Sequence, residues 1–329
     1  MREKMHSPPP LRSVVKSNDV EDPVNRWVHR TLAYLFVRVI FPTPITPNMI
    51  TLSTVFLGLI AGSAFIFGTP AAMVVGGLCL WSAAILDGAD GILARAKDLH
   101  SEFGRALDGS ADSLVAVFTV FPAFYHIWVT HHNPWHLVLM VPALGCTIMH
   151  LALYDFYKES YLRATRPTEG SEGHDADHIE DTVQSARDQG PIIRWAVRWI
   201  LVPHLERQKA LIQWLNRPAW SLSQRLKSDP RTSRIYREEN RGPMQLWALI
   251  SLAPHSYLMA ICAIFDRLDL YLFIRVFGMN GIFVVAALWQ RYATQQTIER
   301  LSGASPSTSR DVSIGTAALR PTSEQGSQV

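Results

Sequence analysis

The sequence has little that would cross-link it or mark it for export. Its 329 residues include only three cysteines, Cys79, Cys146 and Cys262, each inside an apolar run and no two at a short spacing. Neither a zinc site nor a disulfide framework is suggested, and small apolar residues packed in helices are expected there. Net charge is nearly absent as well. Lys and Arg number 31 against 28 Asp and Glu, and the resulting +3 is too small to argue for nucleic acid. The first twenty residues, MREKMHSPPPLRSVVKSNDV, hold no apolar core of signal-peptide length, so the N-terminus is expected in the cytosol. No internal repeat is found.

Apolar residues are what the chain has in quantity, at 48%, yet its mean hydropathy is only just positive. A very apolar part must therefore be offset by a very polar one. Six stretches are long enough to span a bilayer, which takes roughly 20 residues per helix: about 48–68, 71–94, 104–128, 134–156, 244–264 and 269–291. Lys and Arg crowd one side of the alternating topology, whereas the connections near Thr130–Pro134 and Phe265–Asp269 hold only Arg267. The positive-inside rule then predicts a multi-pass protein with both termini cytosolic. The fold class expected is an all-α integral membrane protein: six transmembrane helices preceded by an amphipathic interfacial helix, with a cytosolic helical insertion between spans four and five.

Segment boundaries follow from composition. Residues 1–19 read as a disordered N-terminus. Residues 20–44 read as the interfacial helix, with Trp27, Leu35 and Val39 on one face and Arg26, Arg30 and Arg38 near its edges. Residues 45–166 form the membrane core of spans one to four, and 244–295 carry spans five and six. The insertion, 167–243, starts as an acidic loop and continues from Pro191 as basic amphipathic helices. There Trp195, Trp199, Trp214 and Trp220 interleave with arginines, as expected of helices lying on an anionic leaflet. The Ser, Thr and Gly-rich tail, 302–329, is expected to be disordered.

The second and third spans carry carboxylates. Asp87 and Asp90 are three apart, and Asp108 and Asp112 four apart, so each pair shares one helical face. A short connection lets the two helices run antiparallel with all four carboxylates facing each other. Four unneutralised carboxylates at the end of a membrane helix pair repel strongly, and cations must relieve that. Oxygen-only ligands point to hard divalent ions, Mg²⁺ or Mn²⁺, and the four can hold two of them. Paired metals suit displacement at phosphorus, with one carboxylate left to take the proton of an attacking alcohol. Gly88, Gly91, Ala94 and Gly104 thin the helix surface for a ligand, and Arg95 lies on roughly the side of Asp87, where it can meet a phosphate.

The run from Asp87 to Asp112 resembles the signature of the CDP-alcohol phosphotransferase (CDP-alcohol phosphatidyltransferase) family. That signature is D-x-x-D-G-x-x-A-R, eight or nine residues, then G-x-x-x-D-x-x-x-D, and every fixed position is present. The resemblance implies that Asp87, Asp90 and Asp108 ligate the metals and that Asp112 is the general base, shared with the ligand set. It places Gly91, Ala94 and Arg95 against the donor nucleotide and its phosphates. Upstream, Thr46-Pro47-Asn48-Met49-Ile50-Thr51 is similar to the family's entry to the first span. Asn48 and Thr51 are thereby placed near cytidine, with helix capping as the rival reading.

The implied reaction transfers a substituted phosphate from a cytidine-diphosphate donor to an alcohol, releasing CMP, in phospholipid biosynthesis. CDP-diacylglycerol is the favoured donor; the alternative is a choline- or ethanolamine-type enzyme with diacylglycerol as acceptor. A homodimer in a bacterial inner or plasma membrane is implied in the same way. Ser160-Tyr161-Leu162-Arg163-Ala164 resembles the helix end of bacterial members that use phosphorylated polyols. Lys158 and Arg163 there, with Asp155 and, in span five, His255, are candidate acceptor contacts. Two rival classes remain, a divalent-cation transporter and a catalytically silent scaffold. The first predicts carboxylates near mid-bilayer, and the second the loss of one or more of the aspartates.

Overall fold

The computed structural model describes residues 8–11, 17–99, 102–165, 195, 197–226 and 229–303. The acidic loop expected within 167–190 and the tail beyond residue 303 lie outside them. All elements among the described residues are helical: α1 (Arg30–Ile40, entered through a π-turn at Asn25–His29), α2 (Pro47–Phe67), α3 (Pro70–Lys97), α4 (Glu102–His131) and α5 (Pro134–Thr165). After these come α6 (Val202–Arg225), α7 (Pro230–Ala248), α8 (Leu252–Ile264), α9 (Leu268–Phe273) and α10 (Met279–Ser302). Six stretches are long and apolar enough to cross a membrane: four correspond to α2–α5, and 230–264 and 268–302 make the fifth and sixth. This is the plan of a multi-pass membrane protein.

Local chemistry sets the helix ends. Thr46 and Thr69 cap α2 and α3, each accepting from a backbone N–H three residues on, and each is followed by proline at the first helical position. Gly68 ends α2 in the left-handed region at φ 65°, where glycine carries no steric penalty. Asp229 caps α7 with two backbone N–H bonds of 3.0 Å.

Helix α2 packs closely along both α3 and α4, while α3 and α4 approach each other much less. The contact between α2 and α4 depends on Gly62, where a Cβ would fall on the carbonyl of Phe118. The two aspartate helices therefore splay from a common neighbour, and the space between them is left to side chains. Helix α1 lies against α3, joining Ala33, Val37 and Ile40 to Ala89, Ile92 and Leu93. A second body of packing joins α5, α6, α7 and α10 around Tyr157, Trp220 and Trp247.

Three sequence expectations need correction. Ser17 and Asp19, assigned to a disordered N-terminus, are buried, because Asp19 is pinned by Arg237, Arg241 and the Tyr161 hydroxyl at 2.9–3.0 Å. Residues 230–243, read as part of the surface insertion, are helix α7 and run into the fifth span. Trp220 is buried and stacked on Phe156, whereas Trp195, Trp199 and Trp214 are exposed.

Candidate active site

Asp87 and Asp90 lie near the end of α3, and Asp108 and Asp112 near the start of α4, so the splayed ends carry all four. One carboxylate oxygen from each of Asp87, Asp90 and Asp108 lies within 4.8 Å of the others. Asp112 is in hydrogen-bonding reach of Asp87 and close enough to feel the charges of Asp108 and Asp90. Asp90 is buried, while Asp87 and Asp108 keep access to solvent. The donor set is all carboxylate oxygen, and three oxygens converge at ligand spacing. That fits hard divalent ions.

Asp90 is fixed from the side. Thr51 Oγ1 lies 2.6 Å from Asp90 Oδ2 and 3.2 Å from the carbonyl of Pro47, so its one proton goes to the carboxylate. Thr51, expected near cytidine or in the helix cap, thus lies directly beside Asp90. Asn48 is partly buried in the first turn of α2, two residues beyond the Thr46 cap. The Arg95 guanidinium folds back over Gly91, where a Cβ would stand 3.4 Å from Nη2, so Gly91 is small where the cation lies. Ala94 is partly buried on the same helix, and Gly104 opens the first turn of α4. Lys97 is directed away, bonding the carbonyls of Thr43 and Ile45 at 2.9 Å and thereby fixing the entry to α2.

The candidate acceptor contacts are dispersed. Asp155 is paired with Lys158 Nζ at 3.1 Å, and that ammonium also sits over the Tyr154 ring. Arg163 is partly buried near the end of α5, beside Tyr236. His255 is buried away from these three. It stacks on His150, with Nδ1 3.4 Å from the Tyr271 hydroxyl. Asn280 joins that set through His150 Nε2 at 3.1 Å, so neighbouring helices satisfy it. A cavity of about 500 Å³ lies elsewhere, lined by Asp19, Arg234, Arg237, Glu238 and Arg241 among others, and none of the four aspartates borders it.

Sequence reasoning missed one neighbour of the site. Arg30, expected at the outer edge of an interfacial helix, points inward. It is ion-paired with Glu21 at 2.6 Å and near enough to Asp87 to interact with it. The exposed face of α1 is left to Leu32, Leu35, Phe36 and Val39.

The family model described as CDP-alcohol phosphatidyltransferase matches residues 44–167. That range runs from α2 to the end of α5 and takes in all four aspartates. The chain carries a CDP-alcohol phosphatidyltransferase domain. Over that stretch the match supports transferase chemistry of this kind, with a CDP-linked donor and an alcohol acceptor. A search of curated proteins finds no match to the chain.

Proposed function

We propose that the protein moves a phosphatidyl group from CDP-diacylglycerol to an alcohol and releases CMP, using two Mg²⁺ or Mn²⁺ ions. The observation that carries this reading is the convergence of Asp87, Asp90 and Asp108, with Asp112 beside Asp87, on the splayed ends of α3 and α4. When bound there, the ions would neutralise the diphosphate and spread the charge that develops at phosphorus. The chain's own residues do the rest. Thr51 orients Asp90, and Arg95 over Gly91 offers a guanidinium to a donor phosphate. A carboxylate oxygen of Asp112 takes the proton of the acceptor hydroxyl. The acceptor oxygen then bonds to the phosphorus that bears diacylglycerol, the bond from that phosphorus to the bridging oxygen breaks, and CMP departs with the bridging oxygen.

The orientation supports this assignment. The aspartate ends of α3 and α4 are the ends that the Lys and Arg distribution assigns to the cytosol, where a nucleotide arrives. Helix α1, with Val39 75% exposed, and the π-turn that leads into it, with Trp27 68% exposed, would lie in the interface beside them. Purified protein with Mn²⁺ and either CDP-diacylglycerol or CDP-choline, offered a panel of acceptors and followed by mass spectrometry, tests the reading. CMP release with CDP-diacylglycerol and a water-soluble alcohol supports it. Release only with CDP-choline and diacylglycerol would replace the donor assignment.

A further inference from the structure

Residues 17–30 precede the stretch that the family model covers, yet they enter the bundle and end against the aspartate helix. Arg30 spends two nitrogens on Glu21: Nε and Nη2 lie 3.0 and 2.6 Å from Glu21 Oε1. The pair is nearly closed to solvent, with side chains 14% and 5% exposed. The third nitrogen, Nη1, lies 3.4 Å from the carbonyl oxygen of Gly88, the residue after Asp87. Asp87, one residue before Gly88, is thereby near enough for its charge to act on the same guanidinium. A buried ion pair is weak evidence for stability, since apolar side chains of similar volume often do as well. Its position is the informative fact, because the pair meets α3 where the metal-binding face begins.

We infer that Arg30, held by Glu21, is a positioning residue for the Asp87 carboxylate, so that the segment ahead of the matched domain is part of the site. The inference rests on the metal-dependent reading above. Glu21 has a second effect in this arrangement. It cancels the charge of Arg30, so the guanidinium can hold Asp87 without repelling the ions that Asp87 is to bind. Breaking the pair from either side therefore leaves a charge of opposite sign beside the site.

Mn²⁺ titration followed by electron paramagnetic resonance, on the full chain in detergent, reads this without turnover. Glu21→Gln leaves Arg30 uncompensated and raises the half-saturating Mn²⁺ concentration roughly five-fold. Arg30→Gln leaves Glu21 uncompensated and lowers it by roughly the same factor. The double variant returns to within about two-fold of wild type, as does Arg30→Lys, because the balance of charge is restored. Turnover stays low in the double variant, since nothing then holds Asp87, and recovery of turnover there would overturn the role. General damage to the fold shifts both single variants the same way, so parallel shifts, or none, would also overturn it. If Asp87→Asn abolishes Mn²⁺ binding but the opposed shifts are absent, only the role of Arg30 falls. If the wild type does not bind Mn²⁺ at all, the metal-dependent reading falls and this inference with it.

Discussion

Thr51→Val is the most informative single substitution outside the aspartates. Valine keeps the shape of threonine and removes only the hydroxyl, which lies 2.6 Å from Asp90 Oδ2 in a buried setting. A hydrogen bond to a charged group is worth about 1.5–3 kcal/mol. Loss of the group that orients a metal ligand typically costs about 10–100-fold in affinity or activity, the same range expressed as a ratio. Thr51→Val should therefore weaken Mn²⁺ binding by about 10–100-fold and lower kcat/KM for CMP release to a similar extent. Thr51→Ser, which retains the hydroxyl, should stay within about three-fold of wild type. Isothermal titration with Mn²⁺ and a CMP-release assay on the same preparations read both quantities. If Thr51→Val matches wild type while Asp90→Asn abolishes binding, the hydroxyl does not support the ligand, and its contact with Asp90 is incidental.

Further expectations concern the proton and the buried N-terminal segment. Asp112→Asn should leave Mn²⁺ and nucleotide binding largely intact while lowering turnover by about 10²–10⁴-fold, the usual worth of a general base. Equal loss of binding and turnover would instead make Asp112 chiefly a ligand. His29 is buried between the rings of Trp81 and Tyr257. Burial and the charge of Arg30 push its imidazole down to about 4 from the ordinary 6.5. The folded protein thus binds fewer protons than the unfolded chain between these values. Stability is fully present above about pH 6.5 and is lost as pH falls toward 4, by roughly 1–2 kcal/mol at pH 5. His29→Phe should flatten that dependence in thermal unfolding from pH 7 to 5, and an unchanged slope would assign the acid sensitivity to other groups.

The parts of the molecule that were legible in the sequence carry local signals. Long apolar runs located the spans, and α2 and α3 begin within one residue of 48 and 71. The four aspartates were legible because their spacing puts each pair on one face of a helix, and the structure brings Asp87, Asp90 and Asp108 to ligand distance. Pairings distant in sequence leave no such trace. Asp19 meets Arg237, 218 positions away, and nothing in the composition of 1–19 distinguishes a buried anchor from a solvated tail. Arg30 resembled an interfacial arginine because its partner Glu21 lies nine residues earlier, across a turn that periodicity does not reveal. The first half of α7 looked like a surface helix because its arginines outnumber its apolar residues, although Ile235 and Tyr236 are buried.

The central claim is that the aspartates of α3 and α4 form a metal-dependent phosphotransfer site. The most direct test is CMP release by purified protein in CDP-diacylglycerol micelles with Mn²⁺ and an acceptor panel, beside Asp108→Ala and a Mn²⁺ flux assay in liposomes. The account predicts CMP formed in proportion to a new phospholipid, lost on chelation and lost in Asp108→Ala, with no metal crossing the bilayer. Metal flux that depends on Asp108, with no CMP released from either donor with any acceptor, would contradict it.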